Sequence, residues 1–149
     1  MKRSILLLFL MLPFVNQAQS STSSFPSKAF FVQKWENYIS AFTKADYETL
    51  GNQFQYPVTL MVGSPMILQD KSSFLEVIKR FREKGVEPGY AYSKTDAIEL
   101  VKLSESACYL DAHFSRYNSA NEIIAKGRGL YFLKKINDEW KFHVNMAVN

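Results

Sequence analysis

"GRGLYFLKKINDEWKF", residues Gly127 to Phe142, is the stretch on which the fold turns. Its two alternating runs around Asn137-Asp138 read as antiparallel strands joined by a tight turn. With those two residues as the turn, Ile136 faces Glu139, and the pairs continue as Lys135/Trp140, Leu133/Phe142, Tyr131/Val144 and Gly129/Met146. The face that results is almost wholly apolar. The opposite face, with Lys134/Lys141, Phe132/His143 and Arg128/Ala147, is mixed. A one-residue slip would exchange the two faces, so the pattern itself argues for this register.

Just upstream, "YLDAHFSRYN" (Tyr109 to Asn118) places an acid, an imidazole and a guanidinium in one strand-like run. With "NSAN" (Asn118 to Asn121) as the loop, Tyr117 faces Glu122. Arg116/Ile123, Phe114/Ala125, Ala112/Gly127, Leu110/Gly129 and Cys108/Tyr131 then fall on the same apolar face. Asp111 lies opposite Arg128, and His113 opposite Lys126, on the other side. Cross-strand charge pairs of that kind contribute only about 0.2–1 kcal/mol, a surface device. Asp111, His113 and His143 are therefore expected to face outward and Arg116 inward.

Helical periodicity precedes the strands. Ser27 caps a helix whose stripe is Phe31, Trp35, Tyr38, Ile39 and Phe42, and Asp46 caps a short second one with Tyr47 and Leu50. "YPVTLMVGSPMIL" reads as two short strands around a turn. "SFLEVIKRFREKG" is a third helix with Ser73 and Glu76 as a capping box and Gly85 as its end. "YAYSKTDAIELVKL" and "ACYLDAHFSRY" complete a four-strand meander with the two strands above. Helices first and antiparallel strands later mean α+β, with the helices gathered on one face of the sheet.

At 149 residues, 47% hydrophobic and 21% charged, the chain suits one packed domain. "MKRSILLLFLMLPFVNQAQS" has the charged start, short apolar run and small-residue site of a secretory signal. Residues 1–18 are read as that signal, 19–27 as a flexible tether and 28–149 as the domain. Secretion or a periplasmic location follows, with no membrane span after processing. Without Lys2 and Arg3 the balance is 16 basic to 14 acidic residues, too even for a nucleic-acid partner. The single cysteine, Cys108, has no partner for an internal disulfide.

The order of elements, "YPVTLMVG", "ACYLDAHFSR" and the "INDEW" hairpin together resemble the nuclear transport factor 2-like superfamily, with its SnoaL-like and ketosteroid-isomerase-like members. The resemblance spans about Phe30 to Val148. It implies a cystatin-like cone, a curved antiparallel sheet wrapped around the N-terminal helices, with a cavity at the open end. It also implies a homodimer through the outer sheet face, which Tyr109, Leu130, Phe132 and Ile124 would support. An isomerase-type acid would fall around Thr59 to Val62, where this chain has "TLMV".

Trp35, Tyr38, Tyr56 and Tyr131 are the aromatic candidates to line such a cavity, and Arg116 at its mouth can hold a carboxylate. Gly127 and Gly129 either bend the sheet or make room. Asp96 is the acid that can reach inside. A three-residue turn at Ser104–Ser106 pairs it with Phe114 on the core face, whereas a two-residue turn turns it outward. No cofactor is expected, since "GRG" lacks the third glycine of a nucleotide loop and no metal-ligand set is in view. The favoured reading is a secreted domain binding a small hydrophobic or carboxylate-bearing ligand in a mostly apolar cavity. The alternatives are a SnoaL-like enzyme using Asp96 and Tyr38 in general acid/base chemistry, and a non-catalytic dimeric interaction module.

Overall fold

The structure, a computed structural model, describes residues 24–148. The expected secretion signal, and the tether as far as residue 23, lie outside the described residues. Helix α1 (Lys28–Thr43) is followed by α2 (Tyr47–Asn52), β1 (Phe54–Val62), β2 (Ser64–Leu68) and α3 (Lys71–Arg80). A π-helical turn (Phe81–Gly85) leads into the strands β3 (Tyr90–Ser104), β4 (Ala107–Asn118), β5 (Ile123–Ile136) and β6 (Glu139–Val148). The six strands form one curved, unclosed sheet in the order β2-β1-β6-β5-β4-β3, antiparallel except where β1 runs parallel to β6. No helix among the described residues is long and apolar enough to cross a membrane.

The caps show why the helices start where they do. The Ser27 hydroxyl accepts the Phe30 amide at the head of α1, and Asp46 accepts the Thr49 amide at the head of α2. For α3 the capping box lies three residues earlier than the sequence suggested. Asp70 is the N-cap, and Ser73, expected in that role, supplies the reciprocal hydroxyl. The last residues of the expected tether are not free. Phe25 packs against Phe31 and, edge-on, against Trp140, with ring centroids 5.3 and 5.4 Å away.

The apolar stripe of α1 lies in the concave side of the sheet. Phe31 and Trp35 are completely buried, as are Leu110 and Ala112 of β4. At the other end of the stripe, Arg82 stacks on Phe42 and donates to the Phe42 and Thr43 carbonyls, which ties the π-helical turn to the C-terminus of α1.

The β-bulges decide which face each side chain joins. The Asn137-Asp138 turn forms as expected, both residues at positive φ (48° and 64°), and Leu133 pairs with Phe142. Beyond it the register shifts by one at His143, so Tyr131 pairs with Asn145 and Gly129 with Ala147. The pairs expected there, Tyr131/Val144 and Gly129/Met146, do not form, because the extra residue reverses the parity of the strand end. Between β4 and β5 the loop is one residue longer than expected, and a bulge at Ile124 adds a second shift. Two one-residue shifts cancel, so Leu110, Ala112, Phe114 and Arg116 keep the inward face although their partners move by two.

Between β3 and β4 the turn is two residues, and a bulge at Leu103 restores the parity of a three-residue turn. Leu100/Leu110 and Ile98/Ala112 pair accordingly. A further bulge at Asp96 then seats Thr95, not Asp96, across from Phe114.

Gly127 sits across from Phe114, whose ring covers it so closely that a Cβ there would lie 2.5 Å from the ring. The space left by the missing side chain is filled by an aromatic ring. Gly127→Ala is expected to lower stability by about 1–2 kcal/mol, since the ring must be pushed toward the cavity. Urea denaturation, with an unchanged slope, checks this.

Candidate functional site

A cavity of about 630 Å³ opens between the C-terminal half of α1, the π-helical turn and the ends of β4, β5 and β6. That size suits a small organic molecule. Its walls are aromatic and aliphatic: Ile39, Phe42, Phe81 and Phe114. At its buried end stand Tyr38 and Tyr131, 7% and 6% exposed, with ring centroids 5.6 Å apart. Asn145 joins them, 8% exposed, with its amide beside both phenols. The bulge at His143 brings it there. Regular pairing along β6 would have aimed Val144 inward instead.

Burial pushes the Tyr38 phenol up to about 12, although the Arg116 charge and the hydrogen bonds of Asn145 and Tyr131 pull the other way. Tyr131 is raised well above the usual range, chiefly by burial and then by Tyr38 itself. Both phenols thus stay protonated across the physiological range and keep their role as donors. With the Asn145 amide they form a polar end suited to a carbonyl, hydroxyl or other oxygen acceptor.

At the mouth, Arg116 lies between the rings of Phe81 and Phe114, 5.9 and 5.4 Å from their centroids. Its Nη1 donates to both oxygens of Glu87, at 2.8 and 2.7 Å. Glu87 is the sole carboxylate among the described residues that line the cavity. The lining continues past Gly127 to His113, Lys126 and Arg128 at the rim. Arg128 is held by Asp111, with Nε–Oδ1 at 2.9 Å and Nη2–Oδ2 at 2.6 Å, and this contact keeps the Asp111 carboxyl below its usual range.

The sequence candidates divide three to three. Tyr38, Tyr131 and Arg116 meet in the cavity. Trp35 lies wholly in the core, its Nε1 donating to Thr95 at 2.9 Å, and is not part of the lining. Tyr56 donates to the Gly51 carbonyl at 2.9 Å and packs on Phe74, away from the cavity. Asp96 is exposed and accepts from the Ser115 hydroxyl at 2.7 Å, because its bulge turns it away from the core. The general base imagined with Tyr38 is therefore not in the cavity.

The expectation of a mostly apolar lining needs the same correction, since the buried end is polar and the mouth charged. Cys108 is buried in the core, and burial pushes its thiol up to about 12, so it offers no nucleophile. Asn145 and Glu87 escaped the sequence reading. The first depends on a bulge that has no composition signal, and the second lies in the turn "VEPG".

The model of a family described as NTF2-like protein (DUF6841) matches residues 28–149. Among solved structures, a cystatin-like protein of unknown function from Nostoc punctiforme superposes with a TM-score of 0.68 at 11% identity, over 80% of this chain and 88% of that one. An NTF-2 like protein of unknown function from Shewanella oneidensis gives 0.62 at 15% identity, over 80% and 96%. A ketosteroid isomerase-like protein from Erwinia carotovora gives 0.59 at 18% identity, over 81% and 95%. At these identities the likeness is one of fold. No curated protein matches the chain.

Stability at alkaline pH reports on the two phenols. Their folded values lie above the ordinary value of 10, so the folded state holds protons that the unfolded chain releases. The contribution of the phenols to stability is complete below about pH 10 and is lost as pH rises toward 12, by about 2–3 kcal/mol for Tyr38 alone. Urea midpoints followed over that window should fall less steeply in Tyr38→Phe, and less again in Tyr38→Phe/Tyr131→Phe.

Proposed function

This chain belongs to the NTF2-like family, and from that premise we propose that it binds a small organic molecule in the cone. The observation that carries this is the donor set of Tyr38, Tyr131 and Asn145, grouped at the buried end of a 630 Å³ cavity with aromatic walls. Their phenol and amide groups face a cavity rather than packed apolar side chains, so a ligand oxygen can accept from them without displacing the core. The ligand has an apolar body that meets Phe42, Phe81 and Phe114, and an oxygen acceptor that reaches the two phenols and the amide.

Binding is the better reading than proton transfer on the same grounds. General acid/base catalysis needs a group that changes protonation near the working pH. The phenols are held protonated, and Asp96 is spent on Ser115 outside the cavity.

Native mass spectrometry of protein purified from its own source tests this. A small organic mass that leaves on denaturation is expected, at much lower occupancy in Tyr131→Phe/Asn145→Leu. A bare polypeptide mass in both proteins contradicts the reading.

We also propose a homodimer through the convex face. The bulge at His143 places Val144 and Met146 there, beside Leu130 and the Tyr109/Phe132 ring pair, whose centroids are 5.2 Å apart. A cluster of half-buried apolar side chains on an uncovered sheet face suits a second copy related by a two-fold axis. The same spectra count subunits. Two are expected in the unaltered protein and one in Phe132→Glu.

A further inference from the structure

Resting on the cavity reading above, we propose that the ligand is an organic carboxylate, seated on Arg116 in exchange for Glu87. Three observations carry this. The first is an asymmetry within the ion pair. The Arg116 side chain is 16% exposed and clasped between two rings, so it is a fixed feature of the wall. Glu87 is 35% exposed and lies outside regular structure, in the short link between the π-helical turn and β3. The anion can leave; the cation stays.

The second is the geometry of the contact. Both hydrogen bonds come from Nη1, so the contact rests on a single nitrogen and uses neither two-nitrogen edge of the fork. A guanidinium binds a carboxylate best through two parallel N–H···O bonds, and those are the stronger, charge-assisted kind. A ligand carboxylate that spans Nη1 and Nη2 in two parallel bonds makes a better pair than Glu87 makes now and takes the nitrogen that Glu87 holds, so Glu87 is released to water.

The third is the surrounding charge. Lys126 lies at the rim, as does Arg128, whose charge Asp111 already meets, against Glu87 as the one carboxylate among the described lining residues. Lys126 has no carboxylate partner among the described residues. Arg116 is close enough that its charge acts on both Tyr38 and Tyr131. Once Glu87 is displaced, the mouth is net positive and the buried end offers the donors of two phenols and one amide. That arrangement selects a molecule with a carboxylate at one end and an oxygen acceptor at the other, joined by an apolar body.

Calorimetric titration with matched acids and amides that carry a far-end oxygen tests the exchange: 4-methoxycinnamate against 4-methoxycinnamamide, and 8-hydroxyoctanoate against 8-hydroxyoctanamide. The acids are expected to bind the unaltered protein about tenfold more tightly than their amides, a preference that shrinks with added salt. Glu87→Gln should strengthen acid binding severalfold and leave the amides unchanged. Arg116→Met should erase the preference while both forms still bind.

Should Glu87→Gln fold poorly, Glu87→Asp serves in its place. Its shorter side chain loosens the resident contact, and a smaller gain for the acids is expected. Amides that bind as well as acids, or a preference that survives Arg116→Met, overturn the carboxylate assignment and leave the cavity reading standing. Unchanged acid affinity in both Glu87 variants overturns the exchange. Failure of acids and amides alike removes the cavity reading, and this inference with it.

Discussion

The packing of one aromatic stripe into a curved sheet underlies everything else in this molecule. Phe31 meets Trp140 edge-on at 4.9 Å, and Trp35 meets Tyr131 at 4.5 Å, a pairing geometry that adds about 0.5–1.5 kcal/mol to the apolar area it buries. These contacts fill the N-terminal half of the concavity. One turn further on, Tyr38 and Phe42 have the open end of the cone before them. The cavity is thus the place where the stripe outruns the sheet, and its position along α1 follows from the spacing of the aromatics. Arg82, bound to the last carbonyls of that helix, holds the π-helical turn as one wall of the mouth.

Bulges then assign the chemistry. Each one adds a residue to one strand and reverses every side chain beyond it. At His143 the reversal turns Asn145 inward and sends Val144 and Met146 to the convex side. At Asp96 it removes an acid from the concave face and leaves Thr95, which accepts from Trp35 and donates to Glu36. The polar end of the cavity, and the exclusion of Asp96 from it, come from these two positions. A buried end of two phenols and an amide, with the His113 imidazole and the Glu87 carboxylate kept to the rim and mouth, is equipped to hold a molecule more than to transform it.

At the mouth the balance is electrostatic. A guanidinium between two rings loses water and needs a counter-ion, which Glu87 supplies from the chain itself. The same partial burial keeps the pair strong and lets Arg116 act on the phenols behind it. Mouth and buried end are therefore coupled through charge as well as through shape.

Alternation of apolar and polar residues, the caps at Ser27 and Asp46 and the Asn137-Asp138 turn were enough to determine the order of elements and the α+β class. They also set the inward face of β4, because these signals are local and repeat over many residues. Tyr38, Tyr131 and Arg116 were legible as cavity residues for that reason. Trp35 and Tyr56 carried the same signal, yet they lie in the core or beside α2, since periodicity marks a buried side without telling filled space from empty. Asp96, Asn145 and Glu87 were decided by tertiary structure alone. Their places depend on single extra residues in a ladder and on a turn that meets a distant strand, and such features reflect how whole strands pair rather than anything within reach of a short window of sequence.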